Sequence, residues 1–181
     1  MTKDGFNDAI CAIPSGIKAR PGELVYVPVL TNAVNVMATN IDIGFEAGHL
    51  ITDIAADLAA AKIAFDPASV NVIKGSAMFG GVWVTPANDT PEEQVPPQKA
   101  DEWALRGFNP EAAGGTQRCN SVIWSAGATT ALGGEITVFR FKVPADAKPG
   151  DFIRIWFERC ELNEVAVTGY EGSIEIDQPE F

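Results

Sequence analysis

Short apolar runs separated by proline and glycine recur along the chain. The clearest pair lies at residues 136–143 and 152–157, where Ile, Val, Phe and Trp dominate and PADAKPGD stands between the runs. Such side chains suit a pleated, half-buried surface, and neither proline can donate a hydrogen bond to a sheet. These two runs predict neighbouring antiparallel strands; a break in the alternation of the first indicates a bulge or burial of both sides. About nine such runs predict an all-β, two-sheet sandwich.

The stretch ATNIDIGFE, residues 38–46, alternates between two kinds of side chain. Side chains two positions apart lie on the same side of a strand, so the two sets face opposite sides. We therefore predict one side in the core and a small, polar side at the surface. The core set is Thr39, Ile41, Ile43 and Phe45, and the surface set is Ala38, Asn40, Asp42 and Gly44.

The stretch CNSVIWSA, residues 119–126, predicts another strand. Val122 and Trp124 share one of its sides, and Ser121, Ile123 and Ser125 share the other. Residues 77–85 form a further candidate strand, but its paired glycines leave its register ambiguous.

Residues 86–118 differ in character from the rest of the chain, with several prolines and many charges. Loops of this length are usually functional or disordered. Within them, QKADEWALRGF, residues 98–108, has early acidic residues and a late arginine, which suit a helix dipole. We predict a long insertion that carries the one substantial helix. The insertion could be a loop without a function of its own. Our hypothesis is that residues 98–108 lie beside a binding surface and extend it.

An excess of acidic residues limits the partners of this chain. Its 181 residues have a net charge of −11, which opposes binding to nucleic acids and anionic membranes. No apolar run approaches the roughly 18 residues of a membrane span. The first residues, MTKDGFND, lack the apolar region of a signal peptide. We expect one domain over residues 1–181 that neither binds nucleic acid nor inserts into a membrane.

Few residues suited to catalysis or metal binding are present. The chain has one histidine and three cysteines, Cys11, Cys119 and Cys160, with no CxxC, HExxH or phosphate-binding loop. The acidic pairs of the insertion are of the type that hydrolyses glycosides, but a solvated charged loop explains them more simply. We expect no enzyme activity, metal or cofactor on this chain. The sequence leaves open whether two of the cysteines are bridged.

Four tryptophans leave a second class of function open. Trp83, Trp124 and Trp156 fall in predicted strands and Trp103 in the insertion. Core packing is the ordinary role of a strand tryptophan, and a stacking platform for sugars is the alternative. A carbohydrate-binding β-sandwich therefore stands beside a protein-binding module as an interpretation.

The order of three segments resembles a cohesin module, the receptor domain of cellulosome scaffold proteins. They are ARPGELVYVPV (19–29), MATNIDIGFEAGHL (37–50) and SVIWSAGATTALGGEITVFRFKVPADAKPGDFIRI (121–155). The resemblance covers most of the chain outside 86–118, and the insertion is similar to that of larger, divergent cohesins. It implies an extracellular jelly-roll sandwich of about nine strands that binds a dockerin of a cellulosomal enzyme or scaffoldin. The dockerin, and not this chain, would carry calcium.

The resemblance also implies a binding face built from strands at 38–45, 77–85, 121–125 and 152–158. By this resemblance, Asn40 stands where the family uses an aspartate for partner hydrogen bonds, and Asp42 would supply the missing carboxylate. Trp156 with Arg154 beside it has the composition of a binding hot spot. The expected partner-binding residues are Ala38, Asn40, Asp42, Gly44, Val82, Val84, Ser121, Ile123, Ser125, Arg154, Trp156 and Glu158.

Overall fold

The computed structural model describes residue 6 and residues 8–46, 49–50, 72–79, 81–84, 102–108, 116–125 and 129–177. These residues form thirteen strands in two sheets, which confirms the prediction of an all-β, two-sheet sandwich. In chain order the strands are β1 (Ile10–Ala12), β2 (Ile17–Ala19), β3 (Leu24–Thr31), β4 (Ala38–Glu46), β5 (Val72–Lys74), β6 (Gly81–Val84), β7 (Glu102–Phe108), β8 (Thr116–Ser125), β9 (Gly134–Lys142), β10 (Phe152–Leu162), β11 (Val165–Ala166), β12 (Thr168–Tyr170) and β13 (Gly172–Ile176).

One sheet has five strands in the order β12-β1-β3-β9-β5. The other has eight, in the order β2-β13-β10-β4-β8-β7-β6, with β11 paired to β10. The two first strands lie in different sheets, and each runs parallel to one of the last strands, β1 to β12 and β2 to β13. The beginning and the end of the described chain are thus joined in both sheets.

The core forms between the two sheets, and β4 meets β9 within it. Ile41, Ile43 and Phe45 of β4 are completely buried, as the alternation of this strand predicts. The rings of Phe45 and Phe141, from opposite sheets, meet edge to face with centroids 5.1 Å apart. Aromatic pairs favour this arrangement because the positive edge of one ring meets the negative face of the other.

Asn163 fixes the register of β10 against β4. It adopts a left-handed conformation (φ 49°), which asparagine tolerates better than most residues. Its side-chain oxygen accepts hydrogen bonds from the backbone nitrogens of Met37 (2.7 Å) and Ala38 (3.0 Å). Its own backbone nitrogen donates to the Ala38 carbonyl at 2.8 Å. The start of β4 is therefore held beside the end of β10.

The prediction that residues 136–143 and 152–157 form neighbouring strands is wrong. The first run lies in β9, between β3 and β5, and the second lies in β10, between β4 and β13 of the other sheet. The intervening turn, in which Asp151 accepts a hydrogen bond from the Lys148 nitrogen at 2.9 Å, carries the chain across the sandwich. Proline and glycine end a strand without specifying the sheet of the next one. The broken alternation of β9 reflects burial of both sides from Ile136 to Phe141.

The helix predicted at 98–108 is also wrong for the residues that the structure describes. Residues 102–108 form β7, which pairs antiparallel with β8 and parallel with β6. Tertiary pairing here outweighs the local charge pattern that suggested a helix. The described ranges contain no helix long and apolar enough to cross a membrane.

We expect Phe141→Ala to destabilise the sandwich strongly, because it empties the centre of the contact between the sheets. Truncation of a buried phenylalanine costs about 3–5 kcal/mol, which corresponds to a fall of about 10 °C or more in melting temperature. Phe152 is 64% exposed and provides the matched control, with an expected change near zero for Phe152→Ala. Equal melting temperatures of the two variants would contradict the described core.

Candidate protein-binding face

Three adjacent strands, β10, β4 and β8, present a continuous surface on the side of the eight-stranded sheet away from the core. We call this surface the outer face. The register aligns their residues in rows, with Glu161, Asn40 and Val122 in one row. A second row joins Arg159, Asp42 and Asn120. Every one of these side chains is at least partly exposed. Outward residues on the described parts of the three strands include Ala38, Asn40, Asp42, Gly44, Asn120, Val122, Trp124, Arg154, Trp156, Glu158, Arg159 and Glu161.

A polar network crosses the outer face from strand to strand. The Asn40 amide donates to Glu161 Oε2 at 3.3 Å, and its oxygen accepts from the Asn120 amide at 3.1 Å. The same Asn120 nitrogen also donates to Asp42 Oδ1. The other carboxylate oxygen of Asp42 lies 3.5 Å from Arg159 Nε. The network therefore holds both predicted polar residues, Asn40 and Asp42, in defined orientations at the surface.

Trp156 lies flat across β4 at the position of Gly44. A Cβ atom on Gly44 would stand 2.5 Å from Trp156 Nε1, so glycine is required for this close approach. The indole N–H donates to Glu158 Oε1 at 2.6 Å. The ring is half-buried and packs against the core residues while its outer side faces solvent. The outward placement of Trp156 agrees with the sequence analysis, as does that of Glu158.

Arg154 stands at the far side of the outer face and is paired with Glu171. Its Nε and Nη2 atoms donate to the two carboxylate oxygens at 3.0 and 2.6 Å. This hydrogen bonding raises the pKa of Arg154. The two side chains are 64% and 49% exposed, so the pair contributes little to stability. Arg154 therefore points outward, as expected. Its guanidinium group is already paired in a bidentate manner with the Glu171 carboxylate.

The surface placement expected for Ser121, Ile123 and Ser125 is wrong. These side chains are buried, and they point into the core. The two serines obscured the pattern because a polar side chain suggests the surface. Ser121 is accommodated inside by a 3.1 Å hydrogen bond to Thr137 of the opposite sheet. In the part of β8 whose side chains the structure describes, the outward residues are Asn120, Val122 and Trp124. None of these three was among the expected partner-binding residues.

Arg159 and Glu161 were also missed, because β10 has an irregularity. The register against β4 shifts between Phe157 and Arg159, so the side chains that face the core change from odd to even positions. Cys160 and Leu162, both buried, follow the shift. The buried residues Ile153 and Ile155 are at odd positions, whereas Cys160 and Leu162 are at even positions. This change in the apolar alternation is the feature of the sequence that indicates the irregularity.

Val82 and Val84 lie on β6, which is separated from β8 by β7. Their side chains lie outside the described part, so their role stays a prediction. The insertion contributes β7 to the sheet of the outer face, with Arg106 opposite Val122 and Phe108 opposite Asn120 in the register. Among the described residues, no group of three or more His, Cys, Asp or Glu is arranged to hold a metal ion.

Several solved structures similar to this chain are cohesin modules. The seventh type I cohesin of ScaB from Pseudobacteroides cellulosolvens has a TM-score of 0.56 at 15% identity, covering 96% of this chain and 94% of that one. The sixth cohesin of scaffoldin B from Acetivibrio cellulolyticus, in complex with a Cel5 dockerin mutant, has a TM-score of 0.56 at 11% identity, covering 93% and 99%. The chain has a cohesin-like fold.

The cohesin-like fold extends to proteins outside cellulosomes. A non-cellulosomal cohesin from the hyperthermophilic archaeon Archaeoglobus fulgidus has a TM-score of 0.52 at 15% identity, covering 94% of this chain and 91% of that one. No family model and no curated protein matches the sequence. The likeness therefore lies in the fold.

We expect Gly44→Ala to displace the indole of Trp156, because the added Cβ and the ring cannot occupy the same space. Displacement exposes the ring to water, so tryptophan emission shifts to longer wavelength and quenching by acrylamide increases. The same substitution in a Trp156→Phe background serves as the control and should leave the emission nearly unchanged. An unaltered spectrum of Gly44→Ala would contradict the described contact.

Proposed function

We propose that this chain is a protein-binding module that captures a dockerin domain through the outer face. The observation that carries the proposal is the cohesin-like fold combined with the ordered polar and aromatic surface on β10, β4 and β8. Similar cohesins have been solved in dockerin complexes, among them that of OlpA from Clostridium thermocellum, with a TM-score of 0.50 at 16% identity over 92% of this chain. The fold likeness supports the class of partner, and the side chains of the outer face suggest how it would be held.

The centre of the outer face offers hydrogen-bonding groups in fixed positions. Asn40, Asp42 and Asn120 are half-buried and hold one another by hydrogen bonds. A partner helix that docks here would meet oriented groups whose side-chain entropy is already largely lost, which lowers the cost of binding. In this proposal Asp42 takes the carboxylate role that the sequence resemblance suggests, with Asn40 as its neighbour.

Two tryptophans offer apolar anchors at opposite ends of that polar centre. Trp124 lies in the row of Ala38 and Trp156 in the row of Gly44. Tryptophan is enriched among the residues that dominate binding energy, because it buries a large area with little loss of rotamer freedom. A long partner element could contact both ends of the outer face with Asn40 and Asp42 between them.

The separation of the tryptophans weakens the carbohydrate-binding alternative. Ala38 and Gly44 are six residues apart along β4, a distance of roughly 20 Å at strand spacing. Asn40 and Asp42 occupy the space between the two rows. A single sugar chain stacking on adjacent rings would need aromatic side chains closer together. We therefore favour a protein partner, and we place the module outside the cell in line with the cellulosomal cohesins that it resembles.

Trp156→Ala should weaken dockerin binding by a factor of roughly 30 to 1000, the cost of losing a central tryptophan. Calorimetry with a panel of dockerin domains from cellulosomal enzymes and scaffoldins measures this effect. Because the ring is half-buried, the melting temperature should fall by less than about 10 °C. Tyr26→Ala is the control, since Tyr26 is 42% exposed on the five-stranded sheet and should leave affinity unchanged. If Tyr26→Ala and Trp156→Ala lose affinity equally, the outer face is not the binding surface.

Chelation of calcium should abolish binding without affecting the isolated module. The proposal assigns calcium to the dockerin, whose fold would depend on it, and assigns none to this chain. A pull-down of dockerin proteins should therefore fail in EDTA and recover when calcium is added. The melting temperature of the module alone should be the same in both buffers. Failure of every dockerin to bind in calcium would refute the proposed function.

A further inference from the structure

Two of the three buried cysteines lie together in the interior of the sandwich. Cys11 belongs to β1 of the five-stranded sheet and is completely buried, whereas Cys160 belongs to β10 of the eight-stranded sheet and is 7% exposed. The thiol of one is in hydrogen-bonding contact with the thiol of the other. The third cysteine, Cys119 on β8, is buried as well. Because the thiols of Cys11 and Cys160 are in contact, they could be joined to each other, which a single buried cysteine could not be.

The strands around the two cysteines hold them at this position. The Val167 nitrogen donates to the Cys160 carbonyl at 3.0 Å, which keeps the chain beside β10 after the turn that follows it. Two residues later, Gly169 pairs with Cys11 in the parallel ladder of β1 and β12. A Cβ atom on Gly169 would stand 2.5 Å from the ring of Phe157, so the glycine lets β12 approach β10 closely. The segment from Val167 to Gly169 thus contacts Cys160 at one end and Cys11 at the other, and it connects the two sheets at this position.

We propose that Cys11 and Cys160 form a disulfide that links the two sheets when the protein folds in an oxidising environment. The oxidant is a soluble disulfide such as oxidised glutathione. One thiolate attacks it and releases one glutathione thiol; the second thiolate then attacks the mixed disulfide and releases the other. The two cysteines lose two electrons and two protons in total, and the glutathione disulfide is reduced to two thiols. Cys119, on the other side of β4, takes no part in this bridge.

Burial determines when this reaction takes place. The contact with Cys11 and the removal from water both raise the pKa of the Cys160 thiol. The thiolate is the attacking species, so the folded, reduced protein reacts slowly. The bridge is therefore expected to form during folding, while the thiols are still accessible, and to resist reduction once the sandwich has closed. It would close a loop of almost the whole described chain, and such long loops yield large stabilisation in the chain-entropy model.

Refolding from denaturant with oxidised and reduced glutathione tests the proposal. The expected product is lighter than the reduced chain by two hydrogen atoms, and alkylation in denaturant labels one cysteine, Cys119. A peptide map should contain Cys11 joined to Cys160. The melting temperature of the product should fall by about 10 °C after reduction in denaturant and refolding with a phosphine reductant.

Single alanine variants separate the bridge from the packing of the cysteines. Cys119→Ala should keep the difference in melting temperature between the oxidised and reduced forms, whereas Cys11→Ala and Cys160→Ala should abolish it. Each variant is compared with itself in the two redox states, so the cost of its cavity cancels. Three labelled cysteines in the refolded wild-type chain, or a bridge that contains Cys119, would overturn the proposal, and this result does not depend on any variant folding.

Discussion

The alternation of β4 is the constraint on which the rest of the structure depends. β4 lies between β10 and β8 in the eight-stranded sheet, so both its edges are paired and each of its sides has a fixed environment. One side carries Ile41, Ile43 and Phe45 into the core, where Phe45 meets Phe141 of the other sheet. Because side chains alternate, the same packing that buries this set directs Asn40 and Asp42 outward. The outer face is therefore a consequence of the core, and a slip of one residue would destroy both.

How far the sequence predicts the outer face depends on how clearly each strand alternates. In β4 the buried side is mainly Ile and Phe and the exposed side small or polar, so its assignment from sequence is correct. In β8 the two sides are mixed, since Ser121 is buried and Trp124 is half-exposed. The hydrogen bond between Ser121 and Thr137 is what permits the inward serine, and it joins two strands of different sheets. The alternation of residues within one strand cannot predict a contact between strands of different sheets.

Pairing between distant parts of the chain explains the other departures from the sequence analysis. The strand at 102–108 carries the charges of a helix, yet it lies between β6 and β8, whose hydrogen bonds a helix cannot complete. β9 and β10 have the apolar runs and the turn of a hairpin, yet each pairs in a different sheet. Local propensity identified most strands as strands. Which strand lies beside which is decided by burial across the whole sandwich, and that information is spread over many residues.

The polar network affects how the outer face could discriminate among partners. Asp42 lies between the Asn120 amide and Arg159, and Arg159 is 51% exposed, so this ion pair adds little to stability. Its importance lies in orientation, because a partner must offer groups that replace or extend these hydrogen bonds to avoid leaving one of them buried and unsatisfied. Under the proposed function, a partner that fails to do so would be rejected even when its shape fits. Apolar area at Trp124 and Trp156 would then supply affinity, whereas Asn40, Asp42 and Asn120 would supply selectivity. Under the proposed function, such a division of roles would let substitutions in the polar rows change the partner while the buried side of β4 stays unchanged.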